Sequence, residues 1–473
     1  MSEEELPEGW AEASPVELAV AEKFAIVDGP FGSDLKLSDY RSDGLVPVLT
    51  TKNLTGTYDP SAVRFISLEK YEQLKRSRVV GGDILIAKIG SIGKCCIYPM
   101  GAPTAIIPAN LCKVTLDSRA ASNRFIFWQI RGDEFQRKLA GITSATAQPA
   151  FSVQRFKGVS LALAPLAEQR RIVEKVEALL AQVNAARARL AKLPTILKRF
   201  RKSVLAAACA GRLTETWRES AVPDVNAEAE IPRGWRSVTI GQVAESLDNQ
   251  RRPINKDERA GRAGAIPYYG ANGRVGWIDD WIFDETLVLV VEDETFIGRE
   301  LPFSYVIRGK SWVNNHAHVL RPIDGMTADY LNLCLAFYDF IPLTSGMTGR
   351  RKLTKGTLMA APLTVAPLEE QHEIVRRVDA LFKLADAIEA RVAAATARAD
   401  KITQAILAKA FRGELVPTEA ELARQEGRNY EPASALLARI RGARANTPAK
   451  ASTGRAGQRA SGRVSSKKTG AHR

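Results

Sequence analysis

The chain has 473 residues, enough for about three domains. Its 45% hydrophobic and 25% charged residues are an ordinary balance for a globular protein and exclude a mainly disordered chain. The net charge of +14 points towards nucleic acid, but +10 of it lies from Ser434 to Arg473 and +8 lies in 167–218; segment 368–431 carries −2 and everything else together −2, so composition alone does not make the rest a DNA binder. The start, Met1-Ser2-Glu3-Glu4-Glu5, is acidic without an apolar core, so no signal peptide is expected. The most apolar run, Leu287–Val291, is far short of a membrane span of roughly 18 residues and reads as a buried strand. Five cysteines, odd in number and without CxxC spacing, argue for a reducing cytoplasm rather than a disulfide framework or zinc site.

Taken in chain order, the elements fall into two half-molecules. Leu6-Pro7-Glu8-Gly9-Trp10 leads into a mixed block with a turn and strand at Val79–Gly90 and a short helix at Arg124–Leu139. Ala164-Pro165-Leu166-Ala167-Glu168-Gln169 then opens a long helix. The lead-in returns as Ile231-Pro232-Arg233-Gly234-Trp235, before a second block with strands at Thr286–Val291 and Trp312–Leu320 and a helix at Ala328–Tyr338. Ala366-Pro367-Leu368-Glu369-Glu370-Gln371 opens a second long helix. The match from Ala164–Leu213 to Ala366–Leu415 has no gap, and nineteen of fifty positions are identical. The blocks between these landmarks look unlike each other, as if one frame presents two different reading heads.

The helical segments carry apolar residues at alternating spacings of four and three. The first runs through Ile172, Val176, Leu179, Val183, Ala186, Leu190, Leu193, Leu197, Phe200 and Val204. The second runs through Ile374, Val378, Leu381, Ala385, Ile388, Val392, Ala395, Ala399, Ile402 and Ile406. More than four heptads of this spacing predict a coiled-coil seam; an amphipathic helix on a globular core is the plainer alternative. One segment is basic and the other slightly acidic, which favours pairing them with each other. Pro194 should interrupt the first, and nothing interrupts the second. Gly211 and Gly413 mark the stops. The tail from about Arg441 lacks bulky apolar residues and is expected to be disordered.

Catalytic constellations are mostly missing from the sequence. Gly90-Ser91-Ile92-Gly93-Lys94 lacks the first glycine and the Ser/Thr of a P-loop and reads as a turn. There is no Asn/Asp-Pro-Pro-aromatic run of an amino-methyltransferase, no dinucleotide fingerprint and no HExxH. His316 and His318, two apart on an expected strand, would share a face, but no further metal ligands are obvious nearby. Cys95 and Cys96 would point to opposite strand faces and pack.

What remains is polar loop chemistry suited to DNA. In the first block it comprises Ser33 and Lys36, Lys52 and Asn53, Lys88 with Ser91 and Lys94, and Thr146 and Gln148 within Thr143–Gln148. In the second it comprises Tyr269, Asn272 and Arg274, then Arg299, then Asn315 beside Asn314, and Arg350, Arg351 and Lys352 after a glycine-rich turn. Arg and Lys suit guanine edges, Asn and Gln adenine edges, and hydroxyls reach phosphate; solvated turns are the alternative for each loop. Residues 350–352 suit phosphate contact better than base readout, since consecutive residues on a loop point in different directions.

These residues carry a family resemblance over about 6–435. The duplicated APLxEQxxIVxxVxAL, Ser203–Leu213 with its counterpart ending Gly413-Glu414-Leu415, Gly82–Ala87 with Gly90 and Gly93, and Tyr268–Gly273 followed by Trp312–His318 together resemble the specificity subunit of type I restriction–modification systems. The resemblance implies an α+β fold. Two mixed α/β target-recognition domains, 1–163 and 221–365, would alternate with helical regions 164–220 and 366–435, followed by a basic disordered tail at 436–473. The helices would form an intramolecular antiparallel coiled coil with pseudo-two-fold symmetry. A helix of roughly 45 residues spans about 65 Å, enough to hold two heads on separate major-groove faces about 34 Å per turn apart. Each head would read half of a bipartite double-stranded DNA target. The helices would set the spacer and dock two methyltransferase subunits, and restriction/translocase subunits would join that core. The chain itself would be non-catalytic, cytoplasmic and without a membrane partner or cofactor; S-adenosylmethionine, ATP and Mg2+ would serve the partner subunits. The alternatives are a stand-alone DNA-modifying or cleaving enzyme, and a coiled-coil scaffold that binds protein or sugar.

Overall fold

A computed structural model describes residues 5–145, 148–221, 231–294, 296–346 and 351–445. Thr146, Arg350 and the tail beyond 445 lie outside the described residues. The chain divides into two compact units, Met1–Ala185 with Ala399–Arg473, and Ala186–Arg398. The divisions fall inside the long helices, so each unit joins one head to the start of one helical region and the end of the other.

The helices that matter are α1 (Asn123–Ile130), α2 (Asp133–Ile142), α3 (Leu166–Leu190), α4 (Leu193–Cys209), α5 (Ala328–Leu335), α6 (Leu368–Phe411), α7 (Glu419–Glu426) and α8 (Ala433–Ala445). Pro194 does interrupt the first long segment. It sits in the first turn of α4, where its missing N–H costs nothing. The second segment continues unbroken for 44 residues. Along the expected seam Ile172, Val176, Leu197, Val204, Ile374, Val378, Ala385 and Ala399 are buried and most other positions are half-buried, whereas Ala186 and Ile402 are exposed. Within the second unit the helices run antiparallel. Arg201 on α4 reaches Asp386 at 2.5 Å and Glu389 at 3.3 Å, and Arg377 on α6 donates to the Leu213 carbonyl at 2.6 Å.

The repeated motif explains itself in hydrogen bonds. The Trp10 indole N–H donates to Glu168 at 2.8 Å, and the Trp235 indole N–H donates to Glu370 at 2.9 Å. Both carboxylates are buried and take a second donor. The Glu419 amide reaches Glu168 at 2.8 Å, and the Thr214 hydroxyl reaches Glu370 at 2.6 Å. The neighbouring glutamines clamp each head to its helix. Gln169 accepts from the Ser122 amide at 2.8 Å and donates to the Ala164 carbonyl at 2.9 Å; Gln371 accepts from the Thr327 amide at 2.9 Å and donates to the Ala366 carbonyl at 3.0 Å. At the helix stops Gly211 and Gly413 adopt φ of +70° and +74°. A Cβ at Gly413 would lie 2.5 Å from Pro7 Cγ, and one at Gly211 would lie 2.8 Å from Pro232 Cγ, so glycine serves both the left-handed stop and the close packing.

The strands of the first head are β1 (Ala11–Ala13), β2 (Ile26–Asp28), β3 (Val46–Val48), β4 (Arg64–Ile66), β5 (Arg78–Val79), β6 (Ile84–Ala87), β7 (Cys95–Ile97), β8 (Ala105–Ile106), β9 (Leu111–Val114) and β10 (Leu161–Leu163). Those of the second are β11 (Arg236–Thr239), β12 (Ala244–Ser246), β13 (Ile266–Gly270), β14 (Gly273–Ile278), β15 (Phe283–Asp284), β16 (Leu287–Val291), β17 (Asp293–Glu294), β18 (Ser304–Ile307), β19 (Lys310–Val313), β20 (Ala317–Pro322), β21 (Thr344–Ser345), β22 (Arg351–Leu353) and β23 (Pro362–Val365). Their topologies coincide. The central sheets are ordered β2-β9-β6-β7 and β12-β20-β16-β18, and the outer sheets β4-β3-β8-β5 and β14-β13-β19-β15. In both outer sheets the middle pair is parallel. Strand β1 pairs with β10 and β11 with β23, closing each head at its base. The second head adds a small sheet, β17-β22-β21.

Each central sheet is buried on both faces, which is why Leu287–Val291 is apolar throughout. Ile84, Ile86 and Cys95 pack towards the helices, while Leu85, Ala87 and Cys96 pack towards the outer layer. The same alternation puts Val288 and Val290 in one core and Leu287 and Leu289 in another. The adjacent cysteines do point to opposite faces, and burial pushes both thiols up to about 12.

Three expectations need correction. The helix expected over 124–139 breaks at Arg131-Gly132, where the Gly132 amide turns back to the Gln129 carbonyl at 3.0 Å. The strand expected over 312–320 is two strands, β19 and β20, parted by a turn at Asn314–His316. Residues 436–445 are not a disordered tail: they belong to α8, whose Ala433, Leu436, Leu437 and Ile440 are buried in the first unit's core. Arg441 pairs with Glu17, and Arg444 donates to the Val16 carbonyl at 3.1 Å.

Candidate nucleic-acid interface

The strand registers make the two heads comparable residue by residue. Cys112 on β9 pairs with Asp28 and with Ile86; His318 on β20 pairs with Val290 and hydrogen-bonds Asp248. Lys88 follows the last residue of β6 as Glu292 follows the last residue of β16. The backbone ties at these two positions are the same. The Lys88 amide donates to the Asn110 carbonyl at 2.9 Å and its carbonyl accepts from the Phe151 amide at 3.3 Å; the Glu292 amide donates to the His316 carbonyl at 3.1 Å and its carbonyl accepts from the Leu353 amide at 2.8 Å. Thus loops that look unrelated in sequence occupy matching places at one end of each central sheet. They are the segments after β2 and β12, after β3 and β13, after β6 and β16, before β9 and β20, and before Phe151 and Leu353.

Most sequence-derived candidates fall in this set of loops. In the first head Ser33, Lys36, Lys52, Ser91, Lys94 and Gln148 are exposed. The Gly90–Lys94 turn joins β6 to β7, and Gly90 and Gly93 take φ of +79° and +80°. A Cβ at Gly93 would lie 2.1 Å from Gln136 Oε1, so this turn is seated on α2. The bridge between Ile89 and Ala150 brings the 88–94 loop beside the segment that leads into Phe151. In the second head Asn272, Arg274, Asn315 and Lys352 are exposed, and Tyr269, Arg299 and Arg351 are half-buried. Arg299 donates to Asn272 Oδ1 at 2.8 Å, which links two candidate loops directly. The Asn314 amide donates to the Tyr269 carbonyl at 3.0 Å, tying in a third. Arg274 lies over the half-exposed Trp277 ring at 4.4 Å.

Two candidates are used up inside the fold. Asn53 is fully buried; its Oδ1 accepts from the Thr50 amide at 2.6 Å, and its Nδ2 donates to the Asp59 carbonyl at 2.6 Å. Lys88 is 7% exposed and ion-paired with Asp28. Arg351 is partly committed, since its guanidinium donates to the Thr344 hydroxyl at 2.6 Å and to the Thr344 carbonyl at 2.7 Å.

The sequence reading missed a buried ionic cluster beneath the second head's loops. His316 and His318 do not share a strand face, because His316 lies in the turn before β20. His318 is instead buried with Asp248 and Glu292, so the further acidic groups that the local sequence lacks are supplied from 70 and 26 residues away in the chain. Their charge is balanced by side chains. Arg251 lies 2.5 Å from Glu292 Oε2 and 3.6 Å from Asp248 Oδ2, and Lys352 lies 3.4 Å from Glu292 Oε1. Both imidazole nitrogens are engaged, Nδ1 with Asp248 at 2.6 Å and Nε2 with the Leu353 carbonyl at 2.9 Å. Burial alone would raise the Asp248 pKa. The hydrogen bond and charge of His318, the Val319 amide and Arg251 outweigh it and hold the carboxyl below the usual aspartate range.

Chemically, each loop set offers exposed amides, hydroxyls and cations on a rigid sheet end, the equipment for reading base edges and phosphates. No helix among the described residues is long and apolar enough to cross a membrane.

Comparison with known proteins agrees with this architecture. The family model for the type I restriction modification DNA specificity domain matches twice, at residues 32–195 and 232–395. The EcoBI type I restriction enzyme specificity subunit of Escherichia coli is 30% identical over 349 residues, covering 66% of this chain and 69% of the relative. The StySPI specificity subunit of Salmonella potsdam is 26% identical over 459 residues, covering 88% and 91%. The crystal structure of the HsdS subunit from Thermoanaerobacter tengcongensis superposes with a TM-score of 0.54 at 21% identity, covering 87% of this chain and 99% of that one.

Proposed function

For a chain that belongs to the type I restriction–modification DNA specificity family, we propose a division of labour in which each head reads one half of a bipartite double-stranded DNA target. The observation that carries this reading is the pairing of one topology with two loop chemistries. The frame residues are the same in both halves, Trp10 with Glu168 and Trp235 with Glu370, while the loop ends carry different side chains. Two heads on one frame would recognise an asymmetric, split sequence.

The long helices would set the spacing of the half-sites and dock two methyltransferase subunits, with restriction/translocase subunits joining that core. The chain would add no catalytic group of its own. S-adenosylmethionine, ATP and Mg2+ would be used by the partner subunits, in the cytoplasm. Near-neutral heads fit this arrangement, because partner subunits would supply much of the phosphate neutralisation. The test is to map methylated adenines in host DNA with and without this gene. The reading requires a bipartite motif that disappears with the gene; an unchanged methylation pattern, or methylation of DNA by the purified chain alone, contradicts it.

A further inference from the structure

The Trp, Glu and Gln that seat each head on its helix are the same in both halves, whereas the buried position where their loops meet is not. Glu168 and Glu370 match, as do Gln169 and Gln371. At the loop junction, however, the first head has Lys88 and the second has Glu292, an inversion of charge at one place in the fold. Lys88 is held by Asp28. Glu292 is held by Arg251, which also donates to the Ala317 carbonyl at 2.7 Å and lies beside Asp248, itself bonded to His318. In both heads an aspartate opposite the start of β9 or β20, Asp28 or Asp248, completes the node.

We propose that this buried ionic node is the positioning element of each reading surface, and that Asp28 with Lys88, and Asp248, Arg251 and His318 with Glu292, determine half-site specificity without touching DNA. The proposal rests on the DNA-reading function above. Three loops hang on the node residue itself. Its amide ties down the loop before β9 or β20, its carbonyl ties down the segment before Phe151 or Leu353, and its own chain enters the loop after β6 or β16. A buried ion pair is a poor source of stability, since apolar replacements of similar volume are often neutral or better. Its strength is geometric: a buried charge must keep its partner and its hydrogen bonds, so it fixes where the attached backbone goes. A frame shared by both heads would carry the same node in each. A node that differs while its backbone ties stay the same is what two loop geometries on one frame require.

The experiment uses the full chain assembled with its methyltransferase subunits. The double variant Asp28→Asn with Lys88→Met removes both charges without stranding either, and Lys88→Arg is the conservative control. Each is titrated against the cognate duplex and against duplexes altered in one half-site, at several salt concentrations, with melting followed by circular dichroism. The expected result is a loss of about tenfold or more in discrimination at half-site one only, with half-site two and the salt slope unchanged and Lys88→Arg close to wild type. Discrimination within about twofold of wild type in the folded double variant overturns the proposal. So does intact discrimination with a salt slope shallower by about one, which would make Lys88 a direct phosphate contact. If the double variant loses its melting transition, Glu292→Gln decides by the same criteria at half-site two. A wild-type complex that fails to discriminate any duplex would instead sink the DNA-reading function on which the proposal stands.

Discussion

Removing the Glu168 carboxylate is the sharpest test of how the repeated motif works. Glu168 is fully buried and accepts from the Trp10 indole and the Glu419 amide, each at 2.8 Å. Glu168→Ala leaves both donors buried without an acceptor, at about 1–3 kcal/mol each. Burial holds this carboxyl above the usual glutamate range, so its removal also relieves some desolvation, which favours the lower end of a total of roughly 2–6 kcal/mol. For a unit of this size each kcal/mol moves the melting temperature by about 2–4 °C, giving a drop of roughly 5–15 °C. Glu168→Gln keeps the shape and one acceptor and should lose about half as much. Differential scanning calorimetry gives the magnitude, and hydrogen exchange gives the place. Protection should fall over residues 5–18 and 413–426, and Glu370→Ala should produce the mirror effect around residues 211–218 and 232–240. A Glu168→Ala chain that melts within a degree of wild type, or that loosens both units equally, would refute the role assigned to the motif.

Other outcomes follow from the same geometry. Inserting four residues after Arg391, roughly one turn of the uninterrupted α6, should change the spacer of the methylated sequence while both half-sites persist; changed half-sites would show that the helix is no ruler. Lys352→Ala should weaken DNA binding evenly across sequences and make the salt slope shallower by about one, whereas relaxed recognition of a single base pair would identify it as a base reader. The Asp248 carboxyl lies below the usual aspartate value of 3.8, so it contributes stability that is present above that pH and lost as pH falls through its lower folded value. The melting-temperature gap between wild type and Asp248→Asn should therefore shrink on acidification from about pH 5 to about pH 2; a gap that widens reverses the sign of this interaction.

Periodicity and repetition carried the helical frame into plain view. The four-three spacing, Pro194 and the duplicated Glu-Gln pair are local signals, and local signals survive in a linear string. The sameness of the two heads does not survive there, because it lies in strand order and register, which unrelated apolar residues fill equally well: Ile84 and Val288, or Ile86 and Val290, occupy matching positions. The ionic nodes were hidden for a related reason. Asp28 and Lys88 are 60 residues apart, and Asp248 and His318 are 70 apart, so neither pairing leaves a spacing motif. Lys88 and Asn53 resembled surface candidates because side-chain chemistry alone does not report burial. The α8 helix was overlooked because its arginine-rich composition masked an apolar face at Ala433, Leu436, Leu437 and Ile440.

The central claim, that two heads of one topology read separate halves of the target, is tested most directly by exchange of a head. Residues 10–160 are replaced by the corresponding block of a relative with a different target, and methylated adenines are mapped across the genome of cells that make the hybrid. The account predicts a motif in which one half-site and only one is replaced, with the spacer unchanged. A motif altered in both halves, or an unaltered motif, would contradict it.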